Sequence, residues 1–344
     1  MEYEVTIGVP VYRTASYIET ALRSALDQHF EGIELLVIDD QGGDGSMDVV
    51  ARLQRDHRRG HDIRVLHNDR NVGVAQSRNR IIDEARGRWL YFLDADDTMG
   101  ANAIELLWQR ATSCQAQLAY GSMERTSVGS NQTEVSYAYP DVQLIGDDRL
   151  AAFVFADHGR FQSSVCNCLI SLDFLRSSGL RFGNARYWED TTFTYAMAIM
   201  AKRAVLLPEV TYCYRRHDDS LSNYQRRDVL PKVEVSANVA TIDAMKQHYP
   251  TLADKHYIGD YCYTVQSYSF YIVSHVLRNR HAIEPAVSNN ELHDYMRFPM
   301  PIGSIVRFDH RRSACLLLWL LAHLPACVLP TAMRIISRLR NLRS

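Results

Sequence analysis

The chain lacks the features that would place it in a specialised class at once. Its 344 residues carry 38 Lys and Arg against 40 Asp and Glu, and this balance argues against a dedicated nucleic-acid-binding protein. No internal repeat or low-complexity tract stands out, and no basic-then-apolar leader precedes the first apolar run. We therefore expect an ordinary globular protein of one large or two modest domains, without a signal peptide.

Ordered cysteine spacing is also missing. The seven cysteines are odd in number and scattered, which predicts free thiols and a reducing compartment. Cys166 and Cys168 form a close pair, but no second Cys or His pair at zinc spacing accompanies them. We expect buried thiols there, not a metal centre.

Apolar strands and amphipathic helices alternate over the first 120 residues. Strands are predicted at 4–11, 34–38, 63–67 and 89–93. Helices are predicted at 16–30, from Ser46, from the turn at 71–73 through 85, and at 101–112. This alternation indicates βαβ units, and so an α/β fold with a doubly wound, mostly parallel sheet.

The remaining chain is mixed and then helical. Short strands are predicted near 117–123, 165–171, 204–207 and 211–215, and helices near 147–156 and 190–201. From about residue 228 the pattern is helical and rich in aromatics. We therefore divide the chain into an α/β domain, 1–225, and a helical carboxyl-terminal region, 226–344.

The tail has a long apolar run with arginines on both sides. Residues 315–330 are strongly apolar, and after residue 300 the only acidic side chain is Asp309. A membrane-spanning helix needs roughly 20 apolar residues, and this run is shorter. We expect residues 313–344 to lie in a membrane interface, with the arginines at anionic head groups. The alternative is an apolar helix packed on the protein.

Three carboxylates fall within four positions after the fourth strand, at Asp94, Asp96 and Asp97. Neighbouring like charges cost free energy unless a positive group lies beside them. A divalent cation such as Mg²⁺ fills that role with carboxylate and phosphate oxygens. The position also fits, because open α/β sheets bind ligands beyond the carboxyl ends of their strands.

Three further segments occupy equivalent positions: Val9-Pro10-Val11-Tyr12 after strand one, Asp39-Asp40 after strand two, and Asn71-Val-Gly73 leading to Arg78 on the third helix. In this order and spacing, the four segments together resemble family 2 glycosyltransferases with the GT-A fold. The resemblance covers roughly residues 4–220.

The resemblance implies a role for each segment. Tyr12 and Asp40 would hold the base of a uridine nucleotide, since an aromatic ring can stack on uracil and a carboxylate can accept its N3–H, and Pro10 would belong to the same nucleotide-sugar site. Gly73 and Arg78 would lie at the donor phosphates. The nucleotide-sugar and metal sites would also use the motif aspartates and a later histidine. These are Asp94 and Asp96 for the donor, and Asp96, Asp97 and His217 for Mg²⁺ or Mn²⁺, with Asp97 either a second ligand or a supporting group.

The acceptor side is implied by Trp188-Glu189-Asp190. Asp190 would be the general base that deprotonates the acceptor hydroxyl, with Glu189 as the second candidate. The same two acids would also suit a helix amino terminus, where they interact favourably with the helix dipole.

Each of these residues also has a purely structural interpretation. The pair Asp39-Asp40 suits a turn, Arg78 suits a solvated helix face, and His217 suits an exposed loop. In addition, Arg13 stands where family members often have Asn, which departs from the donor-site pattern.

Taken together, the sequence predicts an inverting hexosyl- or N-acetylhexosaminyltransferase that moves a sugar from a UDP-sugar to a hydroxyl of a glycan or lipid-linked glycan. We expect it in bacterial surface-polysaccharide biosynthesis, peripheral on the cytoplasmic face of the inner membrane. Two alternatives remain. The segment from Asp94 to Thr98 matches the DxDxT pattern of haloacid-dehalogenase-type phosphatases, and a non-catalytic carbohydrate-binding protein is also compatible.

Overall fold

A computed structural model describes residues 3–127, 133–157, 160–185, 188–217 and 230–339. The chain folds into two compact units that interleave along the sequence. The first unit comprises Met1–Leu150, Arg160–Asn184 and Phe193–Leu221. The second comprises Ala151–Gly159, Ala185–Thr192 and Ser222–Ser344. The division of the chain at residue 225 stays a prediction.

Most strands belong to the first unit. They are β1 (Val5–Val11), β2 (Ile33–Asp39), β3 (Ile63–His67), β4 (Trp89–Phe92), β5 (Thr98–Met99), β6 (Leu118–Ser127), β7 (Thr133–Tyr137), β8 (Val142–Ile145), β9 (Cys168–Ser171) and β10 (Arg203–Arg216). The second unit contributes the short pair β11 (Leu230–Pro231) and β12 (Ile283–Glu284).

Helices occur throughout. The earlier ones are α1 (Ile18–Leu26), α2 (Ser46–Asp56), α3 (Val74–Glu84), α4 (Ala103–Ser113), α5 (Arg149–Ala152), α6 (Leu172–Ser178) and α7 (Glu189–Met200). The later ones are α8 (Lys232–Lys246), α9 (Tyr249–Leu252), α10 (Ile258–Arg278), α11 (Asn289–Met296), α12 (Ile302–Ile305), α13 (Arg312–Ala322) and α14 (Leu329–Leu339). The helical carboxyl-terminal part is thus as predicted.

The main sheet has the strand order β3-β2-β1-β4-β9-β6-β10-β5, with β7 added on β6 and β8 on β10. The first four strands in this order run parallel, and β9 is antiparallel to both neighbours. The buried strands β1, β2 and β4 are nearly continuous apolar runs, as parallel strands covered on both faces require. The predicted α/β class is confirmed.

Two predicted strands, 204–207 and 211–215, are one strand in the structure. Strand β10 runs from Arg203 to Arg216, with register shifts against β6 between Leu207 and Tyr212. Pro208 lies in this stretch. Because proline cannot donate to the ladder, the strand passes it through a bulge, and does not end there.

The predicted helix at 147–156 is also modified. A single turn, α5, continues as a π-helical turn over Phe153–Asp157. In the second unit, α10 packs against α8, α11, α13 and α14. Within the described ranges, no helix has the length and apolar content needed to cross a bilayer.

Candidate active site at the carboxyl ends of the strands

The carboxyl ends of β1, β2 and β4 meet at one edge of the sheet in the first unit. The parallel pairing sets Val11 beside Asp39 and Gly8 beside Phe92. The loops that leave these three strands therefore begin side by side. Three of the predicted segments, from positions far apart in the sequence, are brought to one edge in this way.

Asp40 holds the loop that precedes α3. Its side chain is almost fully buried, and the residue is only 2% exposed. One carboxylate oxygen accepts from Asn68 Nδ2 at 2.8 Å and from the Val72 N–H at 2.9 Å. The other accepts from Asn71 Nδ2 and from the Gly73 N–H, both at 2.9 Å. Four donors from the chain occupy both oxygens, so these contacts favour the turn-building role. Binding of uracil by Asp40 stays a prediction.

Asp39, the neighbouring acid, has a different environment. Its carboxylate accepts from the Gln41 N–H at 2.9 Å and pairs with His67 Nδ1 at 2.8 Å. The His67 imidazole is largely exposed to solvent. One partner of Asp39 is therefore an exposed side chain that can rotate away, whereas the partners of Asp40 include two backbone N–H groups.

Tyr12 presents an aromatic ring at the end of β1. The residue is 41% exposed, and the Arg13 guanidinium lies 5.2 Å from the ring centroid, a cation–π distance. Arg13 also donates to the Gly42 carbonyl at 3.3 Å. Pro10 is paired with Ile38 in the β1–β2 ladder. The ring is thus placed for stacking, with Arg13 beside it.

Arg78 lies on α3 and reaches the end of β4. Its Nη2 donates to Asp94 Oδ1 at 2.8 Å, and its guanidinium is 5.6 Å from the Phe182 ring centroid. The helix starts after Gly73, whose φ of +89° is a conformation that glycine adopts without strain. Arg78 is buried, so it is not the solvated arginine of the structural alternative. In this structure the guanidinium forms an ion pair with Asp94, and its contact with the donor phosphates stays a prediction.

Asp96 faces His217. Its Oδ2 lies 2.8 Å from His217 Nε2, and the imidazole stacks on Tyr17 with ring centroids 4.2 Å apart. Burial and the Asp94 carboxylate raise the pKa of Asp96, and the hydrogen bond with His217 opposes that rise. His217 is therefore not a solvated loop histidine: it is nine-tenths buried and directed at the motif aspartate.

Asp97 points away from that pair and joins β4 to β10. Its Oδ2 accepts from the Tyr212 hydroxyl at 2.6 Å and its Oδ1 from the Arg215 N–H at 2.7 Å. Burial first, and then the carboxylates of Asp96 and Asp94, raise the pKa of Asp97 well above its usual range. These contacts favour the supporting role over metal ligation.

Among the described residues, no group of three or more His, Cys, Asp or Glu side chains is arranged to hold a metal ion. Two of the motif aspartates have other partners: Asp97 accepts a hydrogen bond from Tyr212 on β10, and Asp94 pairs with Arg78. The convergent pair is Asp96 with His217. The three-residue ligand set that includes Asp97 stays a prediction.

Glu189 and Asp190 begin α7, in the segment that belongs to the second unit. Glu189 is buried and Asp190 is partly exposed. Trp188 precedes them with a positive φ of 62°, and in the same unit it packs against the rings of Tyr268 and Tyr271 at 5.7 and 5.5 Å. A non-glycine residue in this region of φ marks a constrained backbone, often near a functional site. The general-base role of Asp190 stays a prediction.

Three contributors were missed at the level of sequence: Asn68, Tyr17 and Tyr212. Asn68 directly follows β3, so the rule that strand ends carry functional side chains could have found it. Tyr17 and Tyr212 act through partners about 200 and 115 positions away, and no local pattern indicates them.

The model of glycosyl transferase family 2 matches residues 6–178, half of the chain. The parallel sheet, the aspartates after β4 and the arginine of α3 all lie within the match. The chain therefore belongs to glycosyl transferase family 2, and it is a glycosyltransferase.

Characterised and named relatives agree with this family. The succinoglycan biosynthesis protein ExoO of Rhizobium meliloti is 27% identical over 250 residues, which cover 72% of this chain and 69% of that protein. Glycosyltransferase GlyG of Streptococcus pneumoniae is 26% identical over 225 residues, covering 63% of this chain and 72% of that protein.

Solved structures share the fold at low sequence identity. TarS 1–349 of S. aureus in complex with UDP-GlcNAc gives a TM-score of 0.55 at 15% identity and covers 81% of this chain and 84% of that chain. Mannosyltransferase PcManGT from Pyrobaculum calidifontis in complex with GDP-Man and Mn²⁺ gives 0.53 at 14% identity, with 99% and 88% covered. The predicted GT-A fold is confirmed.

Proposed function

We propose that this glycosyltransferase moves a sugar from a UDP-sugar to a hydroxyl group with inversion at the anomeric carbon. One observation carries the proposal. Asp94 contacts the Arg78 guanidinium and Asp96 the His217 imidazole at the same sheet edge, so carboxylates lie beside nitrogen groups where a diphosphate and its counter-ion would lie.

The donor end is supported by Tyr12 and the two acids after β2. The exposed Tyr12 ring provides a face for the base, and Asp39 is better placed than Asp40 to accept the uracil N3–H, because its partner His67 is exposed. Asp40 then acts through the loop that it holds. The likeness to TarS bound to UDP-GlcNAc supports a uridine nucleotide.

The phosphates are assigned to α3. Its amino-terminal N–H groups favour an anion, and Arg78 can exchange Asp94 for a phosphate group, which a guanidinium can bind through two hydrogen bonds. This assignment gives the buried ion pair a function: Asp94 holds the guanidinium in place until the donor arrives.

A divalent metal fits the residues that are present. An oxygen of Asp96 and Nε2 of His217 already converge at 2.8 Å; the carboxylate suits Mg²⁺ and Mn²⁺, and the imidazole nitrogen is a ligand of transition metals. Burial and the Asp94 carboxylate raise the pKa of Asp96, and a cation bound beside it would favour its charged form. When bound, the ion would stabilise the charge of the leaving diphosphate. PcManGT bound to Mn²⁺ is a relative in fold that supports this class of cofactor.

The acceptor chemistry is assigned to Asp190. Its carboxylate takes the proton of the acceptor hydroxyl as the oxygen attacks the anomeric carbon, on the side opposite to the departing diphosphate. The new C–O bond forms as the bond to the diphosphate breaks, so an α-linked donor gives a β-linked product. Glu189 is the second candidate for the base.

The acceptor is proposed to be a glycan or lipid-linked glycan of bacterial surface-polysaccharide synthesis, used at the cytoplasmic face of the inner membrane. The relative named for succinoglycan biosynthesis supports the polysaccharide, and the apolar, arginine-flanked tail supports the membrane. The phosphatase alternative loses its support, since family 2 covers the segment from Asp94 to Thr98.

The test is release of nucleoside diphosphate from a panel of UDP- and GDP-sugars, with Mn²⁺, with Mg²⁺ and with EDTA. We expect slow hydrolysis of one UDP-sugar that EDTA abolishes and Mn²⁺ or Mg²⁺ restores. Turnover of a GDP-sugar alone would contradict the uridine donor, and turnover unchanged by EDTA would contradict the metal. Nuclear magnetic resonance of the product formed with an accepted glycan then gives the anomeric configuration.

A further inference from the structure

Helix α13 is apolar on two opposite faces. One face is buried and consists of Cys315, Leu318, Leu321 and Ala322, which pack in the second unit where α13 meets α10, α11, α12 and α14. A helix at a protein–water surface normally presents polar side chains on its outer face. The outer face of α13 does not follow this rule.

The outer face carries three leucines, Leu316, Leu317 and Leu320, which we call the leucine face. They are 40%, 37% and 49% exposed. Residues three and four positions apart are neighbours on a helix surface, so the three form one patch. A single exposed leucine is ordinary, whereas a contiguous apolar patch marks a surface that binds something.

Further exposed apolar residues follow the helix in the chain. Val328 and Ile335 are large exposed apolar residues after α13, and Trp319 lies at the boundary of the buried face, with its indole N–H donating to the Met300 carbonyl at 3.1 Å. An aromatic residue with one polar bond at such a boundary is typical of an interface between apolar and aqueous phases.

The segment of chain that contains the leucine face is strongly basic. After residue 300 the chain has seven arginines and one acidic residue, although its net charge is −2. Arg311 pairs with the buried Asp260, and Arg307, Arg312 and Arg334 are exposed. Positive charge beside an apolar patch complements an anionic lipid surface. It disfavours a symmetric contact with a second copy, which would bring the two arginine sets together.

We propose that the leucine face docks α13 onto an anionic phospholipid bilayer, parallel to its surface. The helix has 11 residues, about 16 Å at 1.5 Å per residue, too short to span but enough to lie in the head-group region. The leucines enter the acyl boundary and the arginines contact lipid phosphates. This docking specifies which part of the chain would contact the membrane in the proposed function. It depends on that proposed function only in so far as it would bring the enzyme to a lipid-linked acceptor.

The test is co-sedimentation of the full chain with vesicles, without donor or metal. One set of vesicles mixes phosphatidylglycerol with phosphatidylethanolamine, and the other is phosphatidylcholine alone. The test variant combines Leu316→Gln, Leu317→Gln and Leu320→Gln, which keeps chain length and helix propensity. The matched control is Val233→Gln, an exposed apolar residue on α8 of the same unit.

We expect the wild type and Val233→Gln to bind anionic vesicles with equal affinity, and the triple variant to bind at least about tenfold more weakly. Arg307→Gln with Arg334→Gln should weaken binding to anionic vesicles only. The proposal is overturned if the triple variant binds as the wild type does. The proposal is also overturned if the wild type does not bind anionic vesicles. A third contradicting outcome is a dimeric wild type together with a monomeric triple variant.

Donor hydrolysis in vesicle-free buffer separates the two proposals. The triple variant should release nucleoside diphosphate at the wild-type rate, which also shows that it is folded. If the wild type hydrolyses no donor, the donor assignment is overturned, but the conclusion from vesicle binding is unaffected.

Discussion

Two acidic strand ends lie at the same edge of the sheet and have opposite environments. After β2, Asp40 is surrounded by neutral amide donors, two of them backbone N–H groups. After β4, Asp94 and Asp96 face a guanidinium and an imidazole. Both stretches are short aspartate clusters behind an apolar strand, so composition does not distinguish them.

The two strand ends differ in whether the partners of their carboxylates can be replaced by a ligand. Backbone N–H groups cannot leave Asp40 without unfolding the loop, so the carboxylate is part of the scaffold. A side-chain cation can turn to a phosphate, and an imidazole can accept a metal ion in place of a carboxylate. We infer that the end of β4 is the reactive end and the end of β2 is mainly the supporting one, and the predictions below test that contrast.

The largest effect is expected for Asp96→Asn. Loss of a carboxylate that serves the leaving diphosphate should lower kcat for sugar transfer by about a hundredfold to a thousandfold. The free energy of unfolding should change by less than about 1 kcal/mol, since the Asn carboxamide can keep a hydrogen bond to His217. Steady-state kinetics and urea unfolding measure the two quantities. Asp56→Asn, an exposed acid on α2, is the matched control, and equal activity of both variants would sink the assignment.

Asp40→Asn should show the reverse pattern. Each oxygen of Asp40 accepts two hydrogen bonds. The NH₂ group of Asn would replace one of these oxygens, so two buried donors would lose their acceptor. We expect a loss of about 2–3 kcal/mol in the free energy of unfolding, with the activity of the remaining folded protein affected only through the loop at 71–73. Urea unfolding and the activity per folded molecule measure these. A stable but inactive variant would mean that Asp40 contacts the donor directly.

The third prediction concerns pH. The pKa of Asp97 is raised from its model-compound value of 3.8 by burial and by the neighbouring carboxylates. The folded state therefore binds the proton more tightly than the unfolded state, and stability falls as pH rises from about 4 toward neutrality, by at most about 1.4 kcal/mol per pH unit.

Asp97→Asn should flatten that dependence. Its Nδ2 can donate to the Tyr212 hydroxyl and its Oδ1 can accept from the Arg215 N–H, so it imitates the protonated acid without titrating. Thermal unfolding midpoints from pH 5 to pH 8, measured in EDTA, compare the two proteins. Parallel pH profiles for wild type and variant would show that Asp97 does not titrate in this range.

Much of the fold follows from local sequence pattern. Strand β3 was predicted at 63–67 and is Ile63–His67, because an apolar, β-branched run between turn residues has few alternatives. Strand β7 was missed because its residues are mostly exposed and carry no alternating burial pattern. Strand β10 was divided because a proline within a strand looks like its end.

The sequence predicts which residue types occur in the candidate site and where they lie in the chain. It does not predict which groups hydrogen-bond to each carboxylate. The acids after β2 and β4 were identified from sequence, yet the donors that saturate Asp40 lie 28 to 33 positions away. Which carboxylate is occupied depends on how the loops close over each other, and that is a tertiary property. The same holds for Tyr212 and Asp97, which are 115 positions apart.

The smallest effect is expected at Tyr17, whose ring stacks on the imidazole of His217. Stacked aromatic pairs contribute about 0.5–1.5 kcal/mol, so Tyr17→Leu should raise the Mn²⁺ concentration for half-maximal activity about twofold to tenfold, with kcat changed less. Tyr17→Phe keeps the ring and should restore the wild-type value, which a purely structural role of the hydroxyl would not allow. Metal titrations of donor hydrolysis for the three proteins decide the matter. If both variants lower kcat equally and leave the metal dependence unchanged, His217 is not oriented by this ring, and the contrast between the two strand ends rests on Asp94 and Asp96 alone.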